Sequence, residues 1–263
     1  MTLHARILEV SRNPIDSRWD EADVYSVFWR IYVNAQRGAS LALADGVYEI
    51  TPNRMHVIPA WLKFSCHCET GRVIDHRYIH FAVEGLPGVV SRRIFDRPFA
   101  IPSGPLPWSA WAGDEPPDVG EAVREVAGKA WGNTALARAF ERLEPTERGA
   151  CRPFVTGAHR FAAVLDAIER RLDQPLCNAE LAAAAHLSEG QFIRRFKREI
   201  GQTPAQYIRE RRVTAAAQRL RAGDEPIDQI AEACGFGDRH YLTRTFTRIM
   251  GAPPAGYRQR NRV

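Results

Sequence analysis

Leu181 to Tyr207 reads LAAAAHLSEGQFIRRFKREIGQTPAQY, and Ile230 to Tyr257 reads IAEACGFGDRHYLTRTFTRIMGAPPAGY. The second stretch is the first written again. Leu181-Ala182 falls on Ile230-Ala231, and Leu187 on Phe236. After one extra residue, Gly237, positions Ser188, Phe192, Arg194, Phe196, Gly201, Pro204 and Tyr207 fall on Asp238, Leu242, Arg244, Phe246, Gly251, Pro254 and Tyr257. Such a repeat decides the architecture before any single element does, because each copy must be one supersecondary unit.

Each copy predicts helix, tight turn, helix. An Ala-rich helix leads to a turn, at His186-Leu187 in one copy and at Gly235-Phe236-Gly237 in the other. Ser188 and Asp238 suit the N-cap of the second helix, where a side-chain oxygen accepts from a free backbone N–H. Gly201 and Gly251 stand where that helix must stop, with Pro204 and Pro254 just beyond. Two helices joined by so short a turn form a helix-turn-helix, whose second helix can enter a DNA major groove.

The period of the second helices sorts inside from outside. Phe192 and Phe196, four apart, face a core. The opposite face carries Gly190, Gln191, Arg194, Lys197 and Arg198. In the second copy Leu242 and Phe246 face inward, leaving His240, Arg244, Thr247 and Arg248 outward. Such residues donate to phosphates and base edges, and Arg to guanine is the commonest specific contact. A solvated basic face is the alternative, but matched turn chemistry in two copies favours DNA. Between the copies, Pro204 to Ala222 lacks internal Gly or Pro and predicts a helix of roughly 19 residues, about 28 Å long. It would hold the reading helices about one DNA turn, roughly 34 Å, apart.

With these residues in view, Phe161 to Tyr257 resembles the AraC/XylS-type transcriptional regulators. The resemblance is carried by Leu181-Ala182, Arg194-Arg195-Phe196-Lys197, Gly201-Gln202-Thr203-Pro204, Ile230-Ala231, Gly235-Phe236, Thr243-Arg244-Thr245-Phe246 and Pro253-Pro254 through Tyr257-Arg258. It implies base contacts from Gly190, Ile193, Arg194, Arg239, His240, Thr243 and Arg244.

Charge agrees. The 263-residue chain carries +5, distributed unevenly. Residues 151–263 hold 19 Arg and Lys against 12 Asp and Glu, a net of +7; residues 1–150 hold 17 against 19, a net of −2. A phosphate-binding half is expected to be the basic one. No apolar run is long enough for a transmembrane helix or a signal peptide. Five cysteines without a regular framework suit reduced thiols, and a cytoplasmic protein is expected.

The first half has another texture. Val24–Val33, Leu41–Leu43, Val47–Ile50, Met55–Ile58, Trp61–Cys68 and His76–Val83 are short β-rich runs between turn signals, which argues an all-β barrel or sandwich. Placed before the regulator domain, this region looks like the cupin-like effector domain of many AraC-type proteins. The expected fold is therefore α+β: residues 1–150 a cupin-like β-barrel with following helices, and 151–263 an all-α domain with two helix-turn-helix units. A small barrel encloses a pocket, and strand alternation groups His76, Tyr78 and His80, with Arg30, Tyr32 and Asn34 as a second polar row and Trp29 and Trp61 able to stack on an effector. The same residues also suit an ordinary core.

Cys66-His67-Cys68 invites a metal reading, with His56, His76 and His80 as further ligands, but no complete ligand set is spelled out and no cofactor is called for. Pro98–Pro117 predicts a loop. Asp118 would cap a helix from Val119 with Val119, Ala122, Val123, Val126 and Ala130 on its apolar face. Gly132-Asn133 would break it before a second helix, Thr134–Leu143. In the family, helices here form a dimer contact; packing on their own barrel is the alternative. Pro145–Thr156 predicts a linker.

The sequence thus describes a regulator, not an enzyme. Its expected partners are double-stranded operator DNA, a small-molecule effector, a second copy of itself and RNA polymerase, with no membrane. Two rivals stay open: a metal-dependent cupin enzyme with an appended DNA-binding domain, and an effector-free architectural DNA-binding protein.

Overall fold

A computed structural model of the chain describes residues 3–102 and 117–261. The chain divides into two compact units: Thr2–Leu86 with Ser91–Val155, and Pro87–Val90 with Thr156–Val263.

In the first unit the described strands are β1 (His4–Ile15), β2 (Glu21–Val24), β3 (Trp29–Asn34), β4 (Ala39–Leu43), β5 (Gly46–Ile50), β6 (Arg54–Ile58), β7 (Phe64–Cys68), β8 (Ile74–Glu84) and β9 (Phe99–Pro102). They form two antiparallel sheets, ordered β1-β8-β3-β6-β9 and β2-β7-β4-β5. The expected closed, cupin-like barrel is therefore corrected: among the described residues neither sheet closes on itself or on the other. An apolar cluster fills the space between them, with Ile15, Tyr32, Ile58 and Ile74 from one sheet and Val24, Leu41, Ile50 and Phe64 from the other. Alternating residues of two sheets meet in this way when both inner faces must leave water.

Several expected boundaries change for local reasons. The run 24–33 is two strands, because β2 pairs in one sheet and β3 in the other. The chain crosses between them over Tyr25–Phe28, after Asp23 adopts a φ of +58°. Strand β7 begins only at Phe64; Trp61 precedes it with a φ of +67°. β1, β9 and the short helix α1 (Gly88–Ile94) were not anticipated. The proposed loop 98–117 contains β9, and its residues 103–116 lie outside the described ones.

Gly132-Asn133 does not break a helix. α2 runs unbroken from Pro117 to Glu141. A Cβ on Gly132 would lie 2.7 Å from the Ala5 Cβ, so the glycine is there to let the helix touch β1. Asn133 holds the same contact, accepting from Ala5 N–H at 3.1 Å and donating to Lys129 O at 2.9 Å. The buried face of α2 is Ala127, Trp131, Ala135, Leu136 and Ala139. Of the face expected from periodicity, Ala122, Val126 and Ala130 are exposed and Val123 is half-buried; the side chains of Asp118 and Val119 lie outside the described residues. The expected linker is also a helix, α3 (Pro145–Val155). Proline at its first position loses no bond there, and Glu147 accepts from Glu144 N–H at 3.0 Å.

The second unit is helical: α4 (Ala162–Arg170), α5 (Asn178–Ala184), α6 (Glu189–Ile200), α7 (Pro204–Ala222), α8 (Ile227–Ala233), α9 (Arg239–Met250) and α10 (Pro254–Asn261). The repeat in the sequence is a repeat of bonds. Leu187 N–H donates to Ala182 O at 3.0 Å, and its counterpart Phe236 N–H to Ala231 O at 2.8 Å. The residue before each is left-handed, His186 at φ +54° and Gly235 at φ +72°. α6 and α9 end alike, on Gly201 at φ +92° and Gly251 at φ +73°. α7, the predicted spacer, has 19 residues and starts on a capping box between Thr203 and Gln206.

Candidate nucleic-acid interface

Each reading helix is held from below by aromatic packing. Phe192 and Phe196 of α6 are fully buried and meet Phe161 at 5.7 and 5.3 Å, while Tyr207 closes on Phe196 at 5.8 Å. Leu242 and Phe246 of α9 are likewise buried, with Tyr257 of α10 5.3 Å from Phe246. Burial of each such side chain contributes about 1.5–3 kcal/mol, so the inward face fixes the rotation of the helix. The outward face follows from it.

That face is the one the sequence predicted. Gly190, Gln191, Arg194, Lys197 and Arg198 of α6 are exposed, and Ile193 is half-buried beside them. On α9, Arg239, His240, Arg244 and Arg248 are exposed and Thr243 is half-buried. Thr247, also expected outward, turns its hydroxyl back to Thr243 O at 2.7 Å and is half-buried. Arg198 pairs with Glu199 at 3.4 Å and Arg239 with Asp228 at 3.5 Å. No ion pair engages Arg194, Lys197, Arg244 or Arg248 among the described residues. Exposed cations without acids are available to phosphate or guanine at no cost in broken pairs.

The helix N-termini, which also suit phosphates, are made differently. Asp238 accepts from Tyr241 N–H at 2.7 Å, and that backbone bond holds its carboxyl below the usual range. Ser188 occupies the matching position but makes no side-chain cap bond.

Sequence reasoning missed the ties, all within the second unit, that hold the spacer helix α7 against α4 and the chain leaving it. Arg212 of α7 donates to Leu172 O at 2.8 Å and Gln174 O at 2.7 Å, just past α4. Arg211 grips Glu169 with two bonds, at 2.6 and 2.9 Å. Both arginines sit in an Arg-rich helix that reads as solvated, and only the distant partners distinguish them.

In the first unit, β3 and β8 pair Arg30 with His80, Tyr32 with Tyr78 and Asn34 with His76. The two predicted polar rows are thus one double row on adjacent strands. Glu9 accepts from Tyr78 Oη at 2.6 Å and lies 3.0 Å from His80 Nδ1; His76 meets Asn34 at 2.7 Å. Burial pushes the His76 imidazole down to about 3. Trp61 stands apart on its loop, its backbone N–H on Ser26 O and the Arg92 guanidinium over its ring. Trp29 faces the other way, into a core with Phe81 and Phe95.

The metal reading gains nothing from the geometry. His56 lies between Tyr48 and Thr51, and His67 points out to Asp20. Burial pushes the Cys66 thiol up to about 12. Among the described residues no three potential ligands converge.

Two tandem helix-turn-helix units on a shared spacer helix, each with an exposed basic reading face, define a DNA-binding protein. Known proteins agree. Residues 181–260 match the helix-turn-helix domain family. Multiple antibiotic resistance protein MarA of Escherichia coli is 39% identical over 106 residues, covering 40% of this chain and 84% of MarA. A putative AraC-like transcription regulator of Streptomyces antibioticus is 38% identical over 81 residues, 31% of this chain and 27% of that protein. Unsaturated fatty acid bound ToxT of Vibrio cholerae shares the fold across 97% of this chain and 94% of its own, with a TM-score of 0.52 at 13% identity. The chain belongs to the AraC-type transcriptional regulators and is a DNA-binding transcription regulator; these relatives are regulators, not enzymes. No helix among the described residues is long and apolar enough to cross a membrane.

Proposed function

We propose a one-component regulator in which residues 1–150 sense a small molecule and 151–263 read an operator. The observation that carries the reading half is the pair of exposed cation sets, Arg194 with Lys197 on α6 and Arg244 with Arg248 on α9, over two matched cores. Arg194 and Arg244 read guanine, with Gly190, Gln191, Ile193, Arg239, His240 and Thr243 near base edges; Lys197, Arg198 and Arg248 meet phosphates. Duplexes selected from a random pool, titrated with the full chain against salt, test this. Selection of one sequence with a steep salt slope is expected, and binding indifferent to sequence would refute it.

The sensing half rests on the double polar row between the sheets. Interior donors and acceptors in apolar surroundings are how small-molecule sites fix orientation. ToxT, whose fold the chain shares, was solved with an unsaturated fatty acid bound, which supports assigning the effector to this fold. The effector acts by binding one arrangement of the protein more tightly than another. A second copy is the partner proposed for Ala122, Val126 and Ala130 of α2, and polymerase contact follows from binding at a promoter. The filled apolar cluster favours a second reading, an effector-free architectural protein; operator affinity unmoved by any effector would select it.

A further inference from the structure

The two reading helices are not chemically alike. α9 is polar along its outward side, with Arg239, His240, Thr243 and Arg244 in turn. The matching positions of α6 are Glu189, Gly190, Ile193 and Arg194. Ile193 and Arg194 follow Gly190 by three and four residues, so all three meet on one side of the helix. A Cβ placed on Gly190 would have a single atom within 4 Å among the described residues, beyond the adjoining backbone: Arg194 Nη1 at 3.4 Å. The result is a notch floored by bare backbone, with an apolar wall at Ile193 and a cationic one at Arg194.

Packing does not account for this glycine. Gly132 and Gly235 each admit a neighbouring element, Ala5 Cβ at 2.7 Å and Leu172 O at 2.2 Å, and Gly190 admits none. Its backbone is helical, so no left-handed turn requires it either. Glycine in a helix costs stability relative to alanine. Ile193 is equally out of place on a face otherwise made of cations and amides, half-buried rather than packed away. An apolar side chain beside a DNA groove gains only where it meets an apolar group. Major-groove edges display donors, acceptors and one such group, the C5 methyl of thymine.

We propose that the Gly190 notch seats the methyl group of a thymine, pressed against Ile193, next to the guanine that Arg194 takes. This assignment deepens the operator reading above and rests on it. Ile193 sets the base preference, and Gly190 lets the base approach, because any Cβ there would stand where the methyl goes. α9 has no such notch, since His240 and Thr243 fill the matching positions. The two half-sites therefore differ, and the difference fixes the direction in which the protein lies on the duplex.

The test takes the duplex that the full chain selects from a random pool and replaces its thymines one at a time with uracil, which removes the methyl and leaves base pairing intact. Anisotropy titrations at fixed salt give the affinities. One replacement, next to the guanine whose contact is lost in Arg194→Ala, weakens binding about fourfold, the transfer value of one buried methyl group. The same replacement costs nothing further in Ile193→Ala and keeps its cost in Ile193→Val. Gly190→Ala melts no lower than the wild type, since alanine favours the helix, yet it binds this operator more weakly. No penalty at any thymine of that half-site, a penalty undiminished in Ile193→Ala, or a Gly190→Ala protein that binds like the wild type would each overturn the proposal and leave the operator reading standing. Binding indifferent to sequence in the initial selection would remove the operator reading and the thymine contact with it.

Discussion

Gly235 stands against the carbonyl of Leu172: a Cβ built on Gly235 would lie 2.2 Å from that oxygen. The turn of the second helix-turn-helix is thus pressed onto the chain that leaves α4, and the Arg212 guanidinium lies beside both, 2.9 Å from the same Cβ position. Gly235→Ala meets a steric clash and a left-handed φ, which alone costs about 1–2 kcal/mol. Urea unfolding should show a loss greater than that figure. Ala at Gly251, equally left-handed but with nothing within 4 Å, should show the backbone cost alone. Equal losses at the two glycines would mean that the turn moves freely away from Leu172.

Arg212 makes the same contact a tie. Its two bonds, to Leu172 O and Gln174 O, join the chain leaving α4, ahead of the first helix-turn-helix, to the spacer helix α7 that leads to the second. Linked readers gain affinity only while their geometry lets both engage at once. Arg212→Ala should weaken binding to a full operator by about tenfold while leaving binding to an isolated half-site unchanged. It should also narrow the penalty for inserting one base pair between half-sites. A uniform loss on full and half sites would assign Arg212 to stability alone.

How much of this was legible in the sequence follows from what each element depends on. The second unit could be read because its signals are local and doubled: Phe192 with Phe196, Gly201 and Gly251, and the Pro204–Ala222 spacer each act within a few residues. The ties at Glu169, Leu172 and Gly235 were not, since nothing local distinguishes Arg211 and Arg212 from their solvated neighbours. In the first unit β4 to β8 were legible, but β1 and β9 were not, and neither was the division of the strands between sheets, because which partner β2 or β3 meets is decided far along the chain. Gly132 misled for the same reason. A glycine that ends a helix and one that admits Ala5 against it look alike until β1 is in place. The polar rows at Arg30–Asn34 and His76–His80 were read from alternation, and only pairing joined them.

His76 gives the first unit a pH signature. Its imidazole is 3% exposed, and burial holds its pKa down at about 3, with His80 adding to the effect. An unfolded histidine titrates near 6.5. Between those values the unfolded chain takes up a proton that the folded chain refuses, so stability present at neutral pH is lost as pH falls. The slope from this group reaches at most about 1.4 kcal/mol per pH unit. Urea midpoints at pH 7 and pH 5 should differ less in His76→Gln than in the wild type. The same difference in both would place the pH dependence elsewhere.

Arg244 is exposed at the centre of the outward face of α9, and no ion pair holds it among the described residues. A bidentate contact to guanine is worth about 1–3 kcal/mol of discrimination. Arg244→Ala should therefore relax preference at one base position, measured by anisotropy on single-base operator variants. Uniform weakening across all variants would make it a phosphate contact.

The central claim is that both reading helices enter one face of the same duplex. Methylation interference at guanine N7, on the duplex selected by the full chain, tests it most directly because it reports major-groove contact. The account predicts two patches of interference about 10 base pairs apart. The Arg194→Ala protein should lose one patch and the Arg244→Ala protein the other. A single patch, or two patches that disappear together with either substitution, would contradict it.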